Sequence, residues 1–189
     1  MSVMIGGKPA FVQFTNGNQI NVLPDAGLEG IAELLVTTPG GGPGIPSQVR
    51  VLPVLPEFFR FSPLDQRYIA AVHLDGVFVG PTDLFGGAVP MRPAKPGDVI
   101  QVFGTGWGET SPPVDPGMLV MQQAPLEETP VILIDGEPAT VWFGGLVGSG
   151  LYQFNVIVPE IADGDAFVEG EIQGVRLSKR AFLRVESGS

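Results

Sequence analysis

Hydrophobic and polar residues alternate in short runs along most of the chain, and turn-forming residues separate the runs. Alternation with a period of two residues is typical of β-strands that have one buried face. The pattern predicts strands at residues 10–14, 19–23, 99–103, 151–158 and 166–172. Glycine and proline account for 27 and 19 of the 189 residues, and they favour tight turns over helices. We therefore expect an all-β protein.

One phrase occurs twice along the chain. Residues 4–14 (MIGGKPAFVQF) return as residues 133–143 (LIDGEPATVWF). A second phrase follows each copy, QINV at residues 19–22 and QFNV at residues 153–156. An internal repeat indicates two related structural units, and here it favours two small β-modules over one enzyme domain with a central cleft.

The stretch at residues 27–36 is ambiguous when taken alone. Its apolar residues have helical spacing: Leu28, Ile31, Leu34 and Leu35. The corresponding stretch of the second copy, residues 165–172, alternates like a strand. The repeat therefore predicts a strand at residues 31–37.

Two glycine motifs have structural interpretations. Asp75-Gly76 lies between apolar runs and predicts a hairpin with a type I′ turn, in which both central residues have positive φ. The motif at residues 104–108 (GTGWG) is followed by prolines and not by the helix N-terminus that a phosphate site requires. We expect a structural bend there, with Trp107 filling the core beneath it.

Many short strands joined by turns are typical of an immunoglobulin-like β-sandwich. We expect two such modules in tandem, with a first module at residues 1–62, a hairpin and connector at 63–91, and a second module at 92–189. The first copy has no counterpart of the strand at 99–103 and is therefore truncated. Either its opening strand lies upstream in a longer protein or another segment fills that edge, because an uncovered edge invites pairing.

Two stretches resemble a known family. Residues 95–108 (KPGDVIQVFGTGWG), followed by IDGEPA at 134–139, resemble an IPT/TIG immunoglobulin-like domain. The stretch at 67–185 is similar to the uncharacterised carboxy-terminal module of exported acidobacterial proteins, the Solibacter type, and residues 3–61 look like a truncated TIG repeat. This resemblance implies a non-catalytic module of a secreted or cell-surface protein, and it carries over no catalytic residues.

Charge and composition limit the classes of partner and of chemical site that the chain can have. The formal net charge of −10 disfavours binding to nucleic acids and to anionic membranes. The absence of cysteine excludes thiol catalysis and thiolate metal sites. We see no signal peptide and no apolar stretch near the roughly 20 residues of a membrane span, so membrane insertion is not expected.

Few residues suggest chemistry. The single histidine, His73, is interpreted as an ordinary, partly exposed side chain, because no nucleophile motif accompanies it. The loop aspartates Asp25, Asp163 and Asp165 provide too few ligands for a calcium site, so we expect no metal and no cofactor.

Trp142 and Tyr152 are the candidate ligand or interface residues. Trp142 replaces Gln13 of the first copy and is predicted to point away from the face shared by Val141 and Phe143. We favour an interpretation in which Trp142 packs under the loop at 109–129 or against the first module, with stacking on a sugar ring as the alternative.

The expected function is that of a non-catalytic structural or adhesive module. Its partners would be other domains of a longer exported chain or a surface protein. An accessory carbohydrate-binding module, using Trp142 and Tyr152 to bind a polysaccharide, is the alternative. A small hydrolase is a third hypothesis, which requires His73 in a cleft within hydrogen-bond reach of a serine or an aspartate.

Overall fold

The computed structural model describes residues 1–25, 27–61, 67–115, 118 and 120–187. These residues form nineteen strands and no helix, which confirms an all-β protein. The strands are β1 (Ser2–Ile5), β2 (Lys8–Thr15), β3 (Ile20–Leu23), β4 (Gly30–Thr38), β5 (Gly42–Pro43), β6 (Ser47–Val51), β7 (Glu57–Phe58), β8 (Ala71–His73), β9 (Phe78–Val79), β10 (Met91–Arg92), β11 (Val99–Thr105), β12 (Ala124–Pro125), β13 (Val131–Ile134), β14 (Glu137–Pro138), β15 (Thr140–Gly148), β16 (Leu151–Ile157), β17 (Gly164–Ile172), β18 (Val175–Arg176) and β19 (Ala181–Val185).

Strands β1 to β6 form one sheet, which we call the amino-terminal sheet. Its order is β3-β2-β1-β4-β5, with β6 also paired to β4. The strand predicted at residues 31–37 is confirmed as β4, because pairing with β1 and β6 on its two edges outweighs the local helical spacing. Val3, Ile5 and Ala32 are the buried hydrophobic residues around which this small core is built.

Strands β7 to β19 form two sheets around one larger core, which we call the carboxy-terminal body. One sheet has the order β10-β9-β8-β11-β16-β15-β12, with β7 beside β11. The other has the order β14-β13-β17-β18, with β19 beside β17. Buried side chains from both sheets share one cluster, as in a β-sandwich: Ile100 and Phe154 come from one sheet, and Ile134, Val168 and Leu183 from the other.

The internal repeat extends to the pairing of individual residues. A β-bulge lies between Val12 and Phe14 in β2, and another lies between Val141 and Phe143 in β15. The flanking partners also match: Val12 with Val22 and Phe14 with Asn21 in the first copy, Val141 with Val156 and Phe143 with Asn155 in the second. The two copies therefore share strand register as well as sequence.

The turns of the repeat match as well, whereas the turn at Asp75-Gly76 differs from its prediction. Gly6-Gly7 has φ values of 58° and 75°, and Asp135-Gly136 has 54° and 83°, which is the type I′ pattern. In the β8–β9 hairpin, only Gly76 has a positive φ, 84°. The type I′ prediction is therefore wrong: the loop contains three residues between His73 and Val77, and one left-handed glycine closes it.

Residues 54–61 and the hairpin at 71–79 pack with the carboxy-terminal body. Val54 and Phe58 belong to its core, and β7 pairs with β11. Strand β8 pairs with the same edge of β11 as β7, and β16 pairs with the opposite edge, so that β11 is a central strand. This position of β11 is the main structural difference between the two copies.

Candidate functional site

Strand β3 leaves one edge of the amino-terminal sheet open. Its counterpart in the repeat, β16, lies between β15 and β11. Strand β3 pairs with β2, and no other strand of the described residues pairs with it. No backbone hydrogen bond of the described residues joins its free edge to another segment. The donors and acceptors of this edge are therefore available to an added strand.

The missing neighbour also leaves apolar side chains uncovered. Ile20 and Val22 occupy the positions that Phe154 and Val156 occupy in β16. Phe154 and Val156 are 0% exposed, whereas Ile20 and Val22 are only half-buried. The difference follows from the topology, because β11 flanks β16 and adds its own buried side chains to the core.

Further apolar side chains of the amino-terminal sheet are exposed. Phe11 and Phe14 on β2 are 47% and 46% exposed, and Ile31 on β4 is 75% exposed. Single exposed apolar residues are common on protein surfaces. Three of them on one sheet with an unpaired edge make this sheet the strongest candidate for an interaction surface.

A cleft of about 550 Å³ lies between the amino-terminal sheet and the carboxy-terminal body. Next to it, the amide of Gln13 donates a hydrogen bond of 2.7 Å to the carbonyl of Ser149. The lining carboxylates come from both parts of the chain: Asp25, Glu29, Glu109, Asp115 and Glu127. No Lys, Arg or His occurs among the described lining residues. Lys8 already pairs with Asp25, so the other four carboxylates are the ones that attract further cationic groups to the cleft.

Tyr152 lies in the wall of this cleft. It is 8% exposed, and its hydroxyl donates a hydrogen bond to the carbonyl of Gly108. Burial, reinforced by the charge of Glu109, raises the pKa of Tyr152 to about 12. The ring is thus part of the packed wall and does not present an open face to a ligand.

Trp142 lies at the bulge of β15 and is 67% exposed. The prediction that its side chain points outward is confirmed, but the favoured interpretation, that another segment covers it, is wrong. Tyr152 pairs with Leu146, four residues along β15, which corresponds to about 13 Å. Trp142 does not line the cleft, so the structure does not bring the two candidate residues together.

His73 is buried and not partly exposed as predicted, with an exposure of 3%. Strands β9 and β11 flank it, because β8 lies between them in the sheet. Its Nε2 lies 3.3 Å from the carbonyl oxygen of Arg92, and its Nδ1 lies 3.7 Å from Oδ2 of Asp98. No hydroxyl of the described residues hydrogen-bonds to His73, and the arrangement required by the hydrolase hypothesis is not present there.

The loop aspartates have protein partners. Asp163 accepts hydrogen bonds from the backbone and the hydroxyl of Ser187, and the hydroxyl contact is the main reason that its pKa is lowered. Oδ2 of Asp165 lies 2.6 Å from Nη2 of Arg67 in an ion pair, and Asp25 forms an ion pair with Lys8. Within the described ranges, no group of three or more side chains suited to a metal ion was found.

The individual residues of the open edge could not be predicted from the sequence. Ile20 and Val22 alternate as any half-buried strand does, so their local pattern gives no signal. The available signal was indirect: the first copy has no counterpart of the strand that became β11. The carboxylates of the cleft come from distant positions, and only the tertiary structure collects them.

The comparisons provide no relative: no family model, no curated protein and no solved structure matches the chain. Among the described residues, no helix has the length and apolar character needed to cross a membrane.

Proposed function

We propose that this protein is a non-catalytic structural or adhesive module of a secreted or cell-surface protein, built from immunoglobulin-like units of the TIG type. It binds another polypeptide or a surface through the amino-terminal sheet. One observation carries the proposal. In the second copy of the repeat, β11 covers the outer edge and the apolar side chains of β16, whereas in the first copy no described strand covers the same edge and side chains of β3.

The environments of the polar residues support a binding role over catalysis. Nucleophilic catalysis needs a nucleophile within hydrogen-bond reach of a base. His73 contacts a backbone carbonyl, and Asp165 is engaged by Tyr68 and by arginine side chains. The proposed secreted or surface location rests on the resemblance to modules of exported proteins.

A displayed library of random peptides, selected on the immobilised full chain, tests the binding role. We expect selected peptides to lose at least about fivefold in affinity when Phe11 and Phe14 are replaced together by Ser, because truncating exposed aromatic contacts costs about 1 kcal/mol or more. Met121→Ser is the matched control, because Met121 is 83% exposed but lies outside this sheet.

Two results would contradict the proposal. One is the absence of selected ligands, or ligands whose affinity is unchanged by the Phe11→Ser/Phe14→Ser substitution. The other is turnover of an ester, phosphoester, peptide or glycoside substrate that the His73→Gln variant loses while it remains folded.

A carbohydrate-binding role is the second candidate, and the exposure of Trp142 supports it. Exposed tryptophan rings stack on sugar faces. Screening against a glycan array should then show ligands whose binding disappears in Trp142→Ala and persists in Tyr152→Phe. Binding that is unchanged in Trp142→Ala would eliminate this candidate.

A further inference from the structure

We propose that the free edge of β3 accepts an extended segment of another polypeptide as an antiparallel strand. This segment places two apolar residues against Ile20 and Val22 and carries basic residues ahead of them. The inference rests on the proposed function and specifies the partner and the mode of binding.

The repeat provides the template for this strand. In the carboxy-terminal body, β11 runs antiparallel to β16 with Ile100 opposite Val156 and Val102 opposite Phe154. Since Val22 and Ile20 occupy the positions of Val156 and Phe154, an added strand in the same register places its apolar residues opposite them.

The polar position of the template also has a counterpart. Gln101 lies opposite Asn155 in the carboxy-terminal body, and Asn21 occupies the position of Asn155 in β3. The partner segment is therefore expected to read apolar, polar, apolar at its centre. Main-chain hydrogen bonds to β3 supply affinity, and the alternate side chains supply specificity, as in other cases of strand addition.

The cleft determines the charge of the partner. An antiparallel strand in this register has its amino-terminal end beside Leu23, because Val99 of the template lies opposite Ile157. Leu23, Pro24 and Asp25 line the acidic cleft. Residues that precede the added strand therefore approach the carboxylates of the cleft, which favours lysine or arginine there.

A second copy of this chain does not fit these requirements as well. Its net charge is −10, so two acidic clefts would approach each other. Its own β11, which has the suitable pattern, is already paired with β8 on one edge and with β16 on the other.

A labelled peptide tests the inference with the intact protein. It contains residues 97–105 (GDVIQVFGT) with two lysines added at the amino end. We expect saturable binding by fluorescence anisotropy, and slowed amide hydrogen exchange confined to β3 and its neighbour β2. Replacing Ile100 and Val102 of the peptide by Asp should weaken binding at least about tenfold, because two apolar side chains no longer bury. Two glutamates in place of the two lysines should also weaken binding, and the lysine peptide should lose affinity as salt is raised.

Variants of the protein locate the site. Val22→Pro removes a backbone donor from the free edge of β3, whereas the N–H of Asn21 points toward β2, and this variant should abolish binding. The double variant Ile20→Ala/Val22→Ala should weaken binding while β3 stays paired with β2. It tests the site even if the proline variant does not fold. Leu74→Ala should leave binding unchanged, because Leu74 is 67% exposed in the loop between β8 and β9 and lies outside the amino-terminal sheet.

Three outcomes would overturn the inference. They are the absence of saturable binding, slowed exchange outside β2 and β3, and a concentration-dependent dimer that protects β3 without peptide. If library peptides bind and depend on Phe11 and Phe14 while the β11 peptide fails, the strand model falls and the proposed function stands. If neither kind of peptide binds, both fail.

Discussion

At the residue scale, the two tryptophans of the chain have opposite environments. Trp107 is 0% exposed, and its ring centroid lies 4.9 Å from that of Phe58 and 4.5 Å from that of Phe154. The expected role of Trp107 as a core residue beneath the glycine bend is confirmed. Trp142 points outward, as the alternation of residues along β15 predicts, but no other segment of the described chain packs over its ring as expected. Local pattern thus predicted the direction of the side chain, but the neighbours on the surface depend on tertiary structure.

Tyr152 allows a prediction about alkaline pH. Its pKa is raised to about 12 in the folded protein, compared with about 10 in an unfolded chain. The neutral phenol is therefore favoured by folding, and this contribution is complete below pH 10 and is lost as the pH rises toward 12. We expect the free energy of unfolding to fall by about 2 to 3 kcal/mol across this window.

Denaturant titrations from pH 9 to pH 11.5 measure this effect. Tyr152→Phe should cost about 1 kcal/mol at pH 7, from the lost hydrogen bond to Gly108, and should make the alkaline loss smaller. Tyr68→Phe is the control for the other tyrosine. An equal alkaline loss in the wild type and in Tyr152→Phe would show that Tyr152 is not responsible.

At the element scale, the bend at residues 104–108 depends on a close approach between backbones. A Cβ atom at Gly106 would lie 2.1 Å from the carbonyl oxygen of Leu55, and one at Gly104 would lie 2.5 Å from that of Glu57. The prediction of a bend at this motif, and not of a phosphate loop, is confirmed. The crossing segment could not be predicted from the sequence, because residues 55–57 are distant from the bend along the chain and come close only through the pairing of β7 with β11.

Gly106→Ala should therefore destabilise the protein more than a glycine substitution that meets only backbone strain. The matched control is Gly97→Ala, since Gly97 has φ +84° and no atom lies within 4 Å of a Cβ placed there. We expect Gly106→Ala to cost at least about 2 kcal/mol more, because its clash is with backbone atoms that cannot rotate away. Thermal and urea unfolding of both variants measure the difference, and equal losses would contradict the close approach.

At the scale of the whole molecule, the two repeat copies have unequal cores. The core of the amino-terminal sheet has Val3, Ile5 and Ala32 as its buried residues, whereas the carboxy-terminal body buries a cluster drawn from two sheets. Stability scales with buried apolar area, so the amino-terminal sheet is the less stable part. A strand added beside β3 would bury more apolar surface in the amino-terminal sheet and so reduce the difference in stability between the two parts.

Native-state hydrogen exchange should show this difference in local stability directly. We expect amides of β1 to β6 to open at a lower free energy than those of β11, β16 and β17. The repeat offers matched variants, because Ala32 and Ala166 occupy equivalent positions opposite β6 and β19. Each introduced hydroxyl should cost about 1 to 3 kcal/mol.

Ala32→Ser should accelerate exchange in the amino-terminal sheet alone, whereas Ala166→Ser should lower the protection of the carboxy-terminal body. Uniform exchange across the whole chain, or equal effects of the two substitutions on both parts, would contradict the prediction of two unequal units.

The sequence by itself determined the all-β class, the repeat, the bend at residues 104–108 and the strand at β4. Alternation and turn chemistry act between residues close in sequence, and the second copy resolved the one ambiguous stretch. The tertiary structure alone decided that His73 is buried, that Tyr152 lies in the wall of an acidic cleft, and that β3 ends the sheet. These properties depend on contacts between distant segments. The position of β11 decides the last of them, because β11 covers β16 and no described strand covers β3.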